Sequence, residues 1–369
     1  MTSSSISAGY STRRPGPFGG PIQPNYPRNC WWPAARAVEV GDQPYGCQLL
    51  DTPVVLYRRG SDRTLLALHD RCVHRWAPLS SGWVAGDRIV CGYHGFEYEG
   101  SGKCVRIPSQ DSVPAKACVR SYPVLERHGM VWVWLGDAER ARDTEPPPEV
   151  AFLTDPAWTV VTGETPLEAN YMMLKENVLD LTHFGYVHRN SINVTDWDRP
   201  PRVEIGDTTV TYVQEFPSAP LAFIYGAPTG IGTERPVHRR NWGRFLTPAV
   251  NLGAVEITDP RPEPGARSEF RFNVVHLTTP ISPTRTRYWW FQGWDIQLPP
   301  EFVAKWQTGV EAGYAEDKVI LNAVQRVVSS DAAGCDYDEI LALADQAAIQ
   351  TRRKLQALLM AEQGATGTQ

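Results

Sequence analysis

Four residues on two short loops, Cys72, His74, Cys91 and His94, constrain this chain more than any other feature. They read C-V-H, then sixteen residues, then C-G-Y-H. Each loop pairs one thiolate with one imidazole, a soft ligand beside a nitrogen donor, so both loops must converge on one metal group. Such loops need a rigid frame beneath them, and the flanking sequence supplies it. Residues 53–58, 64–69, 88–91 and 130–135 are short and rich in β-branched or aromatic side chains, which predicts strands. Pro78, Gly82, Gly92 and Gly95 surround the ligands and permit tight turns, so that main-chain amides can approach ligand sulfurs. A small antiparallel β domain presenting two ligand loops follows.

Structural zinc also takes two Cys and two His, but its usual pattern is C-x₂₋₄-C paired with H-x₃₋₅-H, whereas here each loop mixes the two ligand types. The set suits a Rieske [2Fe–2S] centre instead. There two His replace two Cys on one iron and raise the potential to roughly −150 to +300 mV, against about −400 mV for all-Cys plant-type clusters. Rieske proteins of respiratory complexes carry an extra disulfide-forming Cys in each loop. The comparable positions here hold Trp76, Ala77 and Gly92, which points to the soluble, lower-potential type found in oxygenases. The other five cysteines, Cys30, Cys47, Cys104, Cys118 and Cys335, are scattered without close spacing. That argues against a disulfide framework and for a reducing, cytoplasmic location.

A second informative segment runs E-A-N-Y-M-M-L-K-E-N-V-L-D-L-T-H-F-G-Y-V-H over residues 168–188. Its first part is a good helix former, and Asn177, Asp180 and His183 recur every three residues along one drifting helix face. His188 follows His183 by five residues, which on an unbroken helix would splay the two by about 140° at 3.6 residues per turn. Gly185 between them can break the helix and let both imidazoles share a metal. Two His and one carboxylate make a facial triad for Fe(II), with open positions for O₂. The carboxylate is sought in the helical stretch 303–328, where Glu316 and Asp317 are adjacent. Periodicity puts Asp317 on the face of Val310 and Leu321 and turns Glu316 toward solvent, without by itself deciding between ligand and solvated helix residue.

The chain resembles the Rieske non-haem iron oxygenases, in particular catalytic subunits of the vanillate and dicamba O-demethylase type. The matching pieces are C-V-H-R-W-A-P-L-S with C-G-Y-H-G-F-E-Y, then E-N-V-L-D-L-T-H-F-G-Y-V-H, then E-D-K-V-I-L, spread over nearly the whole chain. The resemblance implies that His183, His188 and Asp317 ligate mononuclear Fe(II) and that Asn177 lies close to it. It implies that Asp180 bridges a cluster His of one protomer and the iron site of the next, within a ring-shaped homotrimer. It also implies that His276 and Trp306 face the substrate, although an inward His on the apolar strand 268–278 reads equally as a satisfied core residue. The implied activity is O₂-dependent hydroxylation of an aromatic compound, with O- or N-dealkylation where the carbon bears such a group. Ring dihydroxylation, a pure Rieske electron carrier and a zinc-stabilised binding module are the alternatives.

The organisation fits an α+β protein: a small antiparallel β Rieske domain plus a catalytic domain in which a curved antiparallel sheet grips a helix. Residues 1–27 read as a mobile arm, 28–140 as the Rieske domain, 141–157 as a charged, proline-rich linker, 158–362 as the catalytic domain and 363–369 as a tail. A terminal helix is predicted over residues 342–362. Residues 226–242 read as a mobile lid whose Arg235, His238, Arg239 and Arg240 either attract an anion or form a solvated loop. The net charge of −5 gives no case for nucleic acid, and no apolar run approaches the roughly 20 residues of a membrane span. The start of the sequence carries no apolar stretch, which argues against secretion. No G-x-G-x-x-G follows a strand and no C-x₄-C-x₂-C run occurs, so electrons are expected from a separate reductase, with or without a ferredoxin, docking near His74 and His94.

Overall fold

The computed structural model describes residues 26–192, 200–331 and 340–366. The expected arm over residues 1–27 lies almost wholly outside them, as do Cys335 and the last three residues. The chain is α+β. Its first part holds ten short strands: β1 (Trp31–Arg36), β2 (Tyr45–Leu49), β3 (Thr52–Arg58), β4 (Leu65–His69), β5 (Trp83–Ala85), β6 (Arg88–Val90), β7 (Glu97–Tyr98), β8 (Cys104–Arg106), β9 (Val124–Arg127) and β10 (Met130–Trp134). They form three antiparallel sheets, ordered β1-β10-β9, β2-β3-β4 and β5-β6-β7-β8. Of the apolar runs that announced strands in the sequence, Met130–Trp134 is buried at every position and residues 54–57 likewise. The presumed linker is partly ordered as α1 (Ala138–Asp143), whose N-cap Asp137 accepts from the Glu139 amide.

The second part is built on one seven-stranded antiparallel sheet. In chain order its elements are β11 (Thr159–Glu164), α2 (Tyr171–Asn177), α3 (Phe184–Val187), β12 (Arg202–Ile205), β13 (Val210–Ala219), α4 (Phe223–Thr229), β14 (Val237–Thr247), β15 (Val250–Thr258), β16 (Glu269–Ser282), β17 (Arg285–Trp294), α5 (Pro300–Asp331) and α6 (Gln346–Thr366). The strand order is β11-β17-β16-β15-β14-β13-β12. Strand alternation puts Phe272, Trp290 and Trp294 on the face that receives α5, whose Trp306, Val310, Tyr314 and Leu321 pack against it. Terminal helix α6 runs to Thr366, beyond the expected end at residue 362.

The presumed lid is a loop only over residues 231–236. Residues 226–242 contribute the end of α4, ended by left-handed Gly230, and the first half of β14. The four basic side chains there are held: Arg235 by Asp259 at 2.6 Å, His238 by Glu215 at 3.3 Å, Arg240 by Glu215 and Glu256, and Arg239 wholly buried over the Phe216 ring. Alternation along β14 drives this, because every second residue from Val237 points inward. The carboxylates and the ring already answer these groups, which argues against the anion-attracting reading, and the solvated reading fails for the buried Arg239.

The two parts share one core. Trp32 and Val131 of the small sheets pack in one cluster with Val250, Val275, Leu277 and Trp289 of the large one. Main-chain bonds cross between them, Leu50 N to Pro280 O at 2.8 Å and Asp51 N to Ile281 O at 3.1 Å. Arg287 of β17 adds a polar clasp, reaching Ala34 O (3.1 Å), the Tyr45 hydroxyl (2.8 Å), Glu39 (3.2 Å) and Glu164 (2.6 Å). Removing it strands two carboxylates in a half-buried setting. Arg287→Met is expected to cost about 2–3 kcal/mol of stability, read by urea denaturation against the parent protein.

Candidate metal centres and pocket

The two cluster loops share a turn. In each, the Cys amide donates to the carbonyl five residues on (Cys72 to Ala77 at 2.9 Å, Cys91 to Phe96 at 2.8 Å). The amide four residues on returns to the Cys carbonyl (Trp76 at 3.0 Å, Gly95 at 3.0 Å), from a positive φ of 61° and 68° respectively. Gly82 packs against the second loop so closely that a Cβ would lie 1.8 Å from Val90 O. Cys72 and Cys91 are buried side by side, each 1 % exposed, while His74 and His94 stand exposed with ring centroids 4.5 Å apart. His74 also stacks on Phe96 at 4.9 Å.

The sulfurs are supplied with donors. Amides of Tyr93 and His94 reach Cys91 Sγ, and the Tyr98 hydroxyl lies 3.1 Å from Cys72 Sγ. Burial pushes the Tyr98 pKa far up, so its proton stays available to donate. Two inward sulfurs and two outward imidazoles fit a Rieske cluster whose histidine-ligated iron faces the surface. Removing a sulfur donor lowers a cluster's potential. Tyr98→Phe is expected to shift the midpoint negative while keeping the visible spectrum, a change measurable by redox titration.

The second site depends on where α2 stops. Asn170 caps its start, accepting from the Met172 amide at 2.9 Å. The helix ends at Asn177, and Asp180 is extended (φ −127°) rather than on the expected helix face. Asp180 Oδ1 accepts from the Thr182 amide (2.9 Å) and hydroxyl (2.7 Å), starting the 3₁₀ turn Leu181–His183 that runs directly into α3. His188 follows the end of α3. The two imidazoles thus flank one short helix, at a centroid distance of 5.3 Å. Gly185 lies inside α3 and does not break it; the break is at Asp180, where side-chain capping competes with the helix.

His183, His188 and Asp317 each present one ligand atom, all within 4.8 Å of one another. Asp317 Oδ1 lies 3.5 Å from His183 Nε2 and 3.3 Å from His188 Nε2. Both Nδ1 atoms are engaged elsewhere, His183 donating to the Asp180 main-chain carbonyl (2.6 Å) and His188 to Glu316 Oε2 (2.8 Å). That leaves both Nε2 lone pairs aimed at the shared space, the arrangement a metal needs. Burial lowers the pKa of His183 and keeps it neutral; at His188 burial is outweighed by Asp317 and Glu316, which raise it. Asn177 Nδ2 donates to Asp317 at 3.1 Å and lies 3.4 Å from His183 Nε2. Glu316, expected to face solvent, instead holds His188. The missed signal was its adjacency to Asp317: residues 316 and 317 are about 100° apart on a helix, so both can face a ring lying over that turn. Glu316→Ala is expected to weaken iron binding by about 10- to 100-fold, read as iron retained per chain after dialysis against a chelator.

His276 of β16 and Tyr314 of α5 are both half-buried, with ring centroids 6.4 Å apart. Trp306 sits half-buried against Phe272, with ring centroids 6.3 Å apart. His276 Nδ1 meets the Tyr288 hydroxyl at 2.6 Å. A cleft of about 280 Å³ opens beside Asn177, Asp180 and His183, bounded by Glu176, Arg352 and Leu341.

Fold and ligand sets together define an oxygenase with two iron centres. Residues 30–123 match the Rieske [2Fe-2S] domain, and residues 167–361 match the vanillate O-demethylase oxygenase C-terminal domain. The chain is 32% identical over 351 residues to the toluene-4-sulfonate monooxygenase system iron-sulfur subunit of Comamonas testosteroni, covering 92% of this chain and 99% of that one. It is 32% identical over 337 residues to the dicamba O-demethylase oxygenase component of Stenotrophomonas maltophilia, covering 90% and 97%. The crystal structure of dicamba monooxygenase with non-heme iron and dicamba superposes with a TM-score of 0.77 at 27% identity, covering 92% and 99%. The chain therefore belongs to the Rieske non-haem iron oxygenases, as an oxygenase component of the vanillate and dicamba O-demethylase type. Its cofactors are a Rieske [2Fe–2S] cluster and a mononuclear iron. The six described cysteines are all free, and no described helix is long and apolar enough to cross a membrane.

Proposed function

We propose that this chain is the terminal component of a multicomponent monooxygenase that hydroxylates and O- or N-dealkylates a small aromatic compound. The observation that carries it is the pair of Nε2 atoms, of His183 and His188, that face Asp317, with the three ligand atoms within 4.8 Å of one another. In this reading Cys72, His74, Cys91 and His94 hold the cluster, and His183, His188 and Asp317 hold the iron. When bound, these groups supply electrons one at a time and the reductive activation of O₂. The protein's own part is to fix both imidazoles as Nε2 ligands and to hold Asp317 through Asn177. His276 and Trp306 are assigned to substrate contact. Hydroxylation of a carbon beside oxygen or nitrogen gives a hemiacetal or hemiaminal, which collapses and releases an aldehyde.

The electrons come from a separate reductase, with or without a ferredoxin, and the protein works inside the cell as a homotrimer. Its functional divisions are residues 28–140 for the cluster and 158–362 for catalysis. Asp180 is the residue between centres. Its cleft is open, and Ile320, Val324 and Leu341 around it are exposed apolar residues, a face suited to receiving a neighbour's His74 or His94. The Asp180 main chain, not its carboxylate, holds His183, and an Asn side chain can still cap Thr182. Asp180→Asn is therefore expected to keep both metals and lose most turnover; coupled turnover at the parent rate would refute the bridge. Iron-loaded protein with a surrogate reductase, NADH and methoxyarenes is expected to release formaldehyde in step with O₂ use. A cis-dihydrodiol product would favour ring dioxygenation, and silence across aryl ethers, N-alkyl amides and plain arenes would sink the dealkylase reading.

A further inference from the structure

Arg352 of α6 has no part in the chemistry above, yet it lines the cleft beside Asn177, Asp180 and His183. Its guanidinium forks the Glu176 carboxylate, Nε to Oε1 and Nη2 to Oε2, the latter at 2.8 Å. The pair is half-buried, with side chains 17 % and 22 % exposed. Glu176 stands in the last turn of α2, where the helix dipole disfavours a negative charge. It directly precedes Asn177, which holds Asp317. Its main-chain carbonyl accepts from the Leu179 amide at 3.2 Å and the Asp180 amide at 3.0 Å. The turn that presents Asp180 therefore hangs on Glu176, and Glu176 is gripped from α6.

The grip comes from a fixed element. Ala347, Thr351 and Leu355 recur along one face of α6 and are buried, Ala347 and Leu355 in the core shared by the small and large sheets. Lys354 donates to the carbonyls of Gly206 and Asp207, each at 2.7 Å. Glu362 accepts from the amides of Arg28 (2.9 Å) and Asn29 (2.7 Å). Arg352 thus reaches Glu176 from a helix anchored along its length. Glu176, Asp180 and Asp345 line the cleft, and Arg352 is the one Lys or Arg among the described residues that does. Asp345 is turned to the Ala342 amide. Without the guanidinium, Glu176 and Asp180 would be two like charges in one half-buried space, pushing Asp180 off its place. A planar guanidinium meets a carboxylate at two points and sets direction as well as charge, which an ammonium does not. A bridging carboxylate has to be held within roughly 0.5 Å of its working position.

We propose that Arg352 is a positioning residue: through the Glu176 fork it holds the end of α2 so that Asp180 stands where an electron passes between the centres. The proposal rests on the Asp180 bridge of the oxygenase reading, and its test separates the two. Under argon, with both centres loaded and the mononuclear iron ferric, flash-excited deazaflavin with a sacrificial amine reduces the cluster by one electron. The cluster's visible band bleaches, then recovers as that electron reduces the second iron. Zinc in place of that iron, which takes no electron, is expected to abolish the recovery. Arg352→Ala is expected to slow the recovery at least tenfold, with iron, sulfide, cluster midpoint and oligomeric state unchanged. Millimolar guanidinium chloride, able to enter the open cleft, is expected to quicken it again at least threefold, and sodium chloride at equal strength to do nothing. A second readout involves no electron transfer: in zinc-loaded protein, amide exchange over residues 177–183 is expected to quicken in Arg352→Ala and to slow again with guanidinium. Arg352→Lys keeps the charge without the fork; it is expected to be slow as well, and it carries the test if Arg352→Ala does not fold. Recovery at the parent rate in either variant, or a slow rate with lost iron and no guanidinium effect, overturns the proposal. No iron-dependent recovery in the parent, or the parent rate in Asp180→Asn, sinks the bridge and this proposal with it. A slow Asp180→Asn beside a parent-like Arg352→Ala removes the Arg352 role alone.

Discussion

The contact on which the rest of this structure depends is the one between Asn177 and Asp317. It joins the end of α2 to the middle of α5 across 140 residues of sequence, at 3.1 Å. With α5 packed against one face of the sheet, that contact fixes the carboxylate where two imidazoles can meet it. The imidazoles arrive there because α2 ends early. Asp180 caps a new turn instead of continuing the helix, and the chain delivers His183 and His188 from either side of the four residues of α3. Glu316, on the same stretch of α5, then fixes the outer nitrogen of His188. One helix thus supplies a ligand and the support for another ligand.

The same economy appears in the cluster loops. Both use one turn, with the ligand Cys amide and carbonyl paired across it, and both bury sulfur while exposing imidazole. In the proposed function electrons would pass through the imidazole edge, while the sulfurs sit among amides and the Tyr98 hydroxyl. The shared core of Trp32, Val131, Val275 and Trp289, with Arg287 reaching Ala34, Glu39 and Tyr45, packs the cluster frame directly against the large sheet.

Much of this was legible in the sequence, and the failures have physical causes. Local signals carried the strands, since β-branched runs and alternation need no distant information, and the mixed Cys/His spacing carried the cluster. The ligand set His183, His188 and Asp317 came from its resemblance to a family, and the structure brings those three together. What sequence reasoning missed involves competition or burial. Helix periodicity carried through Asp180, because propensity does not register a side chain that caps its own turn. Arg239 was read into a loop because a charged residue looks solvated until an aromatic ring covers it. Glu316 was turned to solvent because its partner lies 128 residues earlier. Lys175 passed unremarked, although this wholly buried lysine at the fifth place of Y-M-M-L-K, bonded to Asn251, was a visible breach of an apolar run.

The central claim is that one chain carries both a Rieske cluster and a mononuclear iron. Iron and acid-labile sulfide per chain, determined on protein reconstituted anaerobically and desalted, test it most directly. The account predicts about three irons and two sulfides, falling to about two irons with sulfide unchanged when His183 and His188 are both replaced by Ala. Two irons in the parent protein, unaffected by that replacement, would make it an electron carrier and contradict the account.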